Sequence, residues 1–128
     1  MPTIELTKDN FNDTLSQNDF VLIDFWASWC GPCRQFAPVY EQASEKHGDL
    51  LFAKVDTEDQ QELAASFDIQ SIPTLMVVRD EIVIYAQPGA LPQESLEDLI
   101  RQARELDMDE VRKEIAKQQS GAEGPAAE

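Results

Sequence analysis

The sequence predicts an α/β fold: a central mixed sheet of four to five strands with helices on both faces. Three observations predict it. Short apolar runs alternate with stripes of helical period, which is the order of βαβ units. Phe20 to Ala27 is apolar at nearly every position, as expected of a strand covered on both faces. Thr74–Val78 and Ile82–Gln87 are joined only by Arg79-Asp80-Glu81, a link so short that the two strands must pair antiparallel.

Each element has its own signal. Thr3 to Leu6 reads as a short first strand. Asp9 is placed to cap a helix carrying Phe11 and Leu15 on one face. After Phe20–Ala27, the residues Phe36, Val39, Tyr40 and Ala43 fall at i, i+3, i+4 and i+7, the stripe of an amphipathic helix that Gly48 ends. Pro38 lies inside that helix and is expected to kink it. Leu50 to Asp56 is a second buried strand, and residues 59 to 67 form a short helix with Leu63, Ala64 and Phe67 inward. Pro88-Gly89 ends the hairpin. Leu96, Leu99, Ile100, Ala103 and Leu106 then mark a further helix.

The length of 128 residues fits one domain, residues 1–107, with one core. Met108, Val111 and Ile115, after a capping pair Asp107 and Glu110, extend it by an extra amphipathic helix over 108–119. Residues 120–128, SGAEGPAAE, read as a disordered tail.

The formal charge is −15, which repels phosphate backbones and anionic lipid, so neither nucleic acid nor a membrane is an expected partner. The first ten residues, MPTIELTKDN, carry no basic segment followed by an apolar run, and no stretch has the length of a membrane span. A cytoplasmic location is the expectation.

There are two cysteines and one histidine. They exclude a disulfide-stapled scaffold and any four-ligand cysteine or cysteine–histidine zinc site within one chain. Zinc shared between two chains, or two buried thiols, remain as alternatives. Both cysteines fall in one C-x-x-C, Cys30-Gly31-Pro32-Cys33, between a buried strand and a helix. Cys30 then sits at the helix start, where unpaired N–H groups and the positive end of the dipole favour a thiolate. Gly31 lets the backbone turn beside the sulfur, and Pro32 suits a first helical turn. His47, near the end of that helix, reads as a charge–dipole contact.

Val21-Leu22-Ile23-Asp24-Phe25-Trp26-Ala27-Ser28-Trp29-Cys30-Gly31-Pro32-Cys33 resembles the signature of the thioredoxin family. Ala53-Lys54-Val55-Asp56, Ile72-Pro73-Thr74 and Gly89-Ala90 resemble its later landmarks, so the likeness spans residues 3 to 107. It implies a thioredoxin fold and a protein-disulfide reductase. Cys30 would be the exposed nucleophile and Cys33 the buried resolving thiol, with Gly31 and Pro32 tuning the potential. Asp24 would take the proton from Cys33, with Lys54 near it; the other reading of that pair is a structural ion pair. Pro73 would be a cis-proline facing the cysteines, and Ile72 would offer backbone hydrogen bonds to the substrate chain. Trp29, Ile72, Pro73, Gly89 and Ala90 would line the docking groove, while Trp26 reads as core.

The resemblance implies no bound cofactor and no metal. Electrons would come from NADPH through the flavoprotein thioredoxin reductase, and the partners would be that reductase and disulfide-containing target proteins, met by a monomer. Three features depart from the family pattern: Glu81 where the hairpin usually has glycine, Pro88 before Gly89, and residues 108–128 beyond the usual end. The alternative function is a binding or chaperone module that uses the groove or the acidic C-terminal extension.

Overall fold

Strand β1 (Thr3–Glu5) is followed by helix α1 (Phe11–Gln17), β2 (Phe20–Trp26), α2 (Gly31–Lys46), β3 (Leu51–Asp56) and α3 (Gln61–Ser66). Then come β4 (Thr74–Arg79), β5 (Ile82–Pro88), α4 (Gln93–Glu105) and α5 (Met108–Ala126). This computed structural model describes residues 3–126, with side chains described over 3–119. The five strands form one mixed sheet in the order β1-β3-β2-β4-β5. β3 is parallel to both β1 and β2, whereas β4 is antiparallel to β2 and to β5.

β2 is apolar because it is central and covered on both sides. Successive side chains alternate between faces. Phe20 and Leu22 join Phe36, Tyr40 and Ala43 of α2 and Leu96, Ile100 and Ala103 of α4 in one core. Val21, Ile23 and Phe25 join Phe11 of α1 in the other, with Leu63 and Phe67 packed against it. Each fully buried aliphatic or aromatic side chain contributes about 1.5–3 kcal/mol, so these two layers dominate the stability. The same alternation puts Asp24 on the α2 face, between its register partners Lys54 in β3 and Leu75 in β4.

Several local expectations are corrected. Asn10, not Asp9, is the N-cap of α1, and it makes no side-chain cap bond; its Oδ1 accepts from Thr7 N–H instead. The helix with Pro38 continues through it to Lys46 and is capped by His47 rather than ended by Gly48. The short third helix begins at Gln61, since Asp56 and Gln60 form the preceding turn. Leu106 follows α4 and is 40% exposed, because the helix ends one residue before it. The extra helix begins at Met108, where Asp107 Oδ1 accepts from the N–H groups of Asp109 and Glu110. It continues past 119 to Ala126, through most of the segment read as a tail, because extending a formed helix costs far less than starting one. Residues 127–128 of that expectation lie outside the described residues.

The hairpin turn is the two residues Asp80 and Glu81, with Arg79 paired to Ile82. Their φ values are 51° and 65°, so both are left-handed, as a two-residue turn matched to strand twist requires. Asp tolerates this region better than Glu. Asp80 is also held by Arg112 at 2.9 Å, whereas Glu81 is exposed. Glu81→Gly is therefore expected to raise stability by about 1 kcal/mol, read as a higher denaturation midpoint at unchanged denaturant slope. An unchanged or lower midpoint would show that the turn carries no such strain.

Candidate functional site

Four residues separate the end of β2 from the start of α2, and this short link places Cys30 at the helix N-cap. Pro32 occupies the first turn, where a missing N–H leaves nothing unpaired. Cys30 and Cys33 are joined by a disulfide, with Cα atoms 5.2 Å apart. The backbone N–H of Cys33 donates to Cys30 Sγ at 3.1 Å. That bond, with the positive end of a 16-residue helix, would stabilise negative charge on the Cys30 sulfur once the disulfide is opened. Arg34 Nη1 donates to the Ser28 carbonyl at 3.0 Å and ties the helix start back to the loop before it.

The second wall of the site comes from the loop before β4. The Ile72–Pro73 peptide is cis, and the Ile72 carbonyl oxygen lies 3.7 Å from Cys30 Sγ. Thr74 Oγ1 donates to Ser71 O at 2.6 Å, which closes this loop on itself. Gly89 N–H donates to Pro73 O at 2.8 Å, so the end of β5 is pinned beside it. Gly89 has φ 114°, a backbone that side chains rarely adopt, and its neighbour Ala90 is exposed. Trp29 is 64% exposed immediately before Cys30. Residues Cys30, Cys33, Ile72, Pro73 and Gly89 are thus linked by direct contacts although up to 59 positions apart in the sequence.

One expectation changes. The family likeness implies an exposed Cys30, but bonded to Cys33 it is 4% exposed, hardly more than Cys33 at 3%. The sulfur is bonded to Cys33 and lies against the Ile72 carbonyl, which together leave little of the residue accessible.

Asp24 lies beneath the helix face and is 1% exposed. Neither carboxylate oxygen has a hydrogen-bond partner among the described residues. Burial is the main cause that pushes its pKa up from 3.8 to about 7, and the positive charge of Lys54 offsets this only in part. The Lys54 ammonium instead stands 4.7 Å from the centre of the Trp26 ring, close enough for a cation–π contact. Asp24 and Lys54 therefore do not form the ion pair of the structural reading. The Tyr40 hydroxyl, which donates to Ala53 O at 2.7 Å, is held well above its ordinary range by burial and then by the charge of Asp24.

Sequence reasoning missed several residues here. Trp26 is only partly core, since it carries Lys54 on its ring. Thr57 donates to the Trp26 carbonyl through both its N–H and its hydroxyl, at 2.9 and 3.0 Å. Arg34, Ser71 and Thr57 act through backbone carbonyls, and no motif announces such bonds. A hollow of about 350 Å³, bounded by Phe67, Ile69, Gln70, Thr74 and Pro88, adjoins the Pro73 loop. Its walls come from three separate segments, which no local pattern could join. His47 is structural: Nε2 meets Glu97 at 2.7 Å, and Arg104 Nη2 donates to Nδ1 at 3.0 Å, joining the end of α2 to α4. Among the described residues no group of three or more histidine, cysteine or acidic side chains is arranged to hold a metal ion. No described helix is long and apolar enough to cross a membrane.

The chain is similar to known proteins in sequence and fold. The profile of the Thioredoxin family matches residues 2–102. A Streptomyces coelicolor protein named "Putative thioredoxin 2" is 64% identical over 120 residues, which cover 94% of this chain and 90% of the relative. Thioredoxin of Bacillus subtilis is 40% identical over 101 residues, 78% of this chain and 96% of its own. Among solved structures, a mutant thioredoxin from Halobacterium salinarum matches with a TM-score of 0.75 at 34% identity, over 82% of this chain and 93% of that one. The fold, the bonded cysteine pair at the head of α2 and these relatives agree: the chain belongs to the thioredoxin family.

Proposed function

We propose that the Cys30/Cys33 pair reduces disulfides of target proteins and is returned to the dithiol by an NADPH-dependent flavoprotein, thioredoxin reductase. The observation that carries this reading is the bonded cysteine pair at a helix N-terminus, with the Cys33 N–H directed at Cys30 Sγ. In the dithiol form Cys30 ionises. Its thiolate attacks one sulfur of the target disulfide, and the other target sulfur leaves as a thiolate. Cys33 then gives its proton to the Asp24 carboxylate and attacks Cys30 Sγ. The first target sulfur leaves, and two electrons have passed to the target.

Asp24 suits the acceptor role because a pKa of about 7 lets it take and release a proton near neutrality. Lys54 is the nearest cationic influence on it and keeps its pKa from rising further. Gly31 and Pro32 set the backbone between the two sulfurs. Trp29, Ile72, Pro73, Gly89 and Ala90 line the groove for the target chain, with the Ile72 backbone pairing with it. The chain acts as a monomer in the cytoplasm, where glutathione and the reductase keep the pair reduced; a charge of −15 opposes self-association.

Cys30→Ser is expected to abolish turnover in a coupled assay with NADPH, thioredoxin reductase and a protein disulfide. Cys33→Ser should instead accumulate mixed disulfides, seen as a mass increase equal to the target. Retained turnover in Cys30→Ser would favour the rival reading, a binding module whose cysteines are incidental.

Asp24→Asn should slow resolution of the mixed disulfide by about a hundredfold at pH 7, the range of positioned acid–base groups. The same variant should be more stable than the parent at pH 8, by a few kcal/mol on the order of the pKa displacement. A raised folded-state pKa means the folded chain binds the proton more tightly than the unfolded one. Its contribution is fully present below about pH 4 and is lost as pH rises through about 7. The two denaturation midpoints should converge towards pH 4; a gap independent of pH would exclude this account.

A further inference from the structure

α5 leaves one face without a partner. It is fastened to the domain at its start by buried Met108, and by Arg112, which meets Asp80 in the hairpin turn at 2.9 Å. Arg79 donates to the carbonyls of Ala103 and Leu106 at 2.9 and 3.1 Å, which holds the link into α5 in place. Beyond these contacts Val111 and Ile115, one turn apart, form with the exposed Leu106 the floor of an open groove of about 380 Å³.

The rim of the groove is Asp107, Glu110, Glu114 and Gln118, so every charged residue lining it is acidic. Asp107 caps the helix, and Glu110 reaches Lys113 at 3.5 Å on the exposed side. Glu114 makes no ion pair among the described residues. A second copy of the chain would bring the same carboxylates to the contact and a like charge of −15. An anionic membrane is opposed for the same reason. The complementary occupant has apolar anchors at helical spacing flanked by lysine or arginine.

The S. coelicolor relative bears on this. Its match covers 120 of the 128 residues, so it must include 9–120 and hence the groove. The B. subtilis thioredoxin uses 96% of its own length on 101 residues, too few to reach across both the domain and α5.

We propose that this groove docks a basic amphipathic helix of a partner protein, a recognition surface separate from the cysteine pair. Asp80 and Arg79 lie at the Phe20 end of the sheet, whereas the cysteines follow Trp26 at the other end of β2. Seven residues of strand, about 20 Å, separate the two ends. A docked partner therefore leaves Trp29 exposed and does not cover the end of the sheet that carries Cys30, and the extension recruits the redox domain to a protein that carries the matching helix.

The test is fluorescence anisotropy of the full chain with a labelled helical peptide of about 15 residues. The peptide bears leucines at i, i+3, i+4 and i+7 and lysines on their flanks; a control replaces every lysine by glutamate. The lysine peptide is expected to bind with an affinity that falls as salt rises, and to shift the amide resonances of residues 106–118. The double variants Val111→Ser with Ile115→Ser, and Glu110→Lys with Glu114→Lys, should each weaken it by about tenfold or more at unchanged helical circular dichroism. Both should keep parental disulfide-reductase turnover. Equal binding of the glutamate peptide, shifts confined to residues outside 106–118, or a dimer in sedimentation that Ile115→Ser abolishes would each overturn the proposal. Loss of reductase turnover in these variants would also overturn it, since the surface would then belong to the cysteine site.

Discussion

The site depends on where α2 begins. Its first turn must stop beside the end of β2, and that position is set by the side chains that bury the rest of the helix. Phe36, Tyr40 and Ala43 lock into the sheet face formed by Leu22, Phe52 and Leu75. The Tyr40 hydroxyl adds a hydrogen bond to Ala53 O that admits little sliding. A shift by one helical step would rotate this stripe out of the core at a cost of several kcal/mol. Because the helix cannot slide, the Cys33 N–H in its first turn stays aimed at Cys30 Sγ. The reactivity of one sulfur is in this sense a property of the whole α2–sheet interface.

Asp24 is the second constraint, and it opposes the first in energy. A carboxylate without hydrogen bonds under a packed helix destabilises the ionised fold. The surrounding packing tolerates it because the acid can remain protonated, at a pKa of about 7. A direct ion pair with Lys54 would remove the cost, but it would also pull the pKa back towards its ordinary value. Holding Lys54 over the Trp26 ring keeps its charge near without neutralising the acid.

The other end of the sheet is organised by Arg79. Its guanidinium stacks 5.1 Å from the Phe20 ring and donates to the carbonyls of Ala103 in α4 and of Leu106 just after it. The left-handed turn that follows presents Asp80 to Arg112. One hairpin end thus anchors two helices, at the end of β2 opposite the one that Cys30 follows.

By itself the sequence determined the order of elements, the antiparallel hairpin, the core stripe of α2 and the position of the cysteine pair before a helix. These follow from local periodicity and from links too short to permit another path. The family pattern around Cys30 added Asp24, Ile72–Pro73 and Gly89 as members of one site. Only the tertiary structure decided how they meet. The Ile72 carbonyl reaches Cys30 across 42 residues, and Gly89 N–H reaches Pro73 O. Lys54 turns to an aromatic face instead of to its neighbour's carboxylate, and the bonded Cys30 is buried. Such outcomes are settled by packing and desolvation between distant segments, which local sequence does not encode. The same reason explains α5: its amphipathic period was legible at Met108, Val111 and Ile115, but the fold alone decided which of these is buried and which remains open.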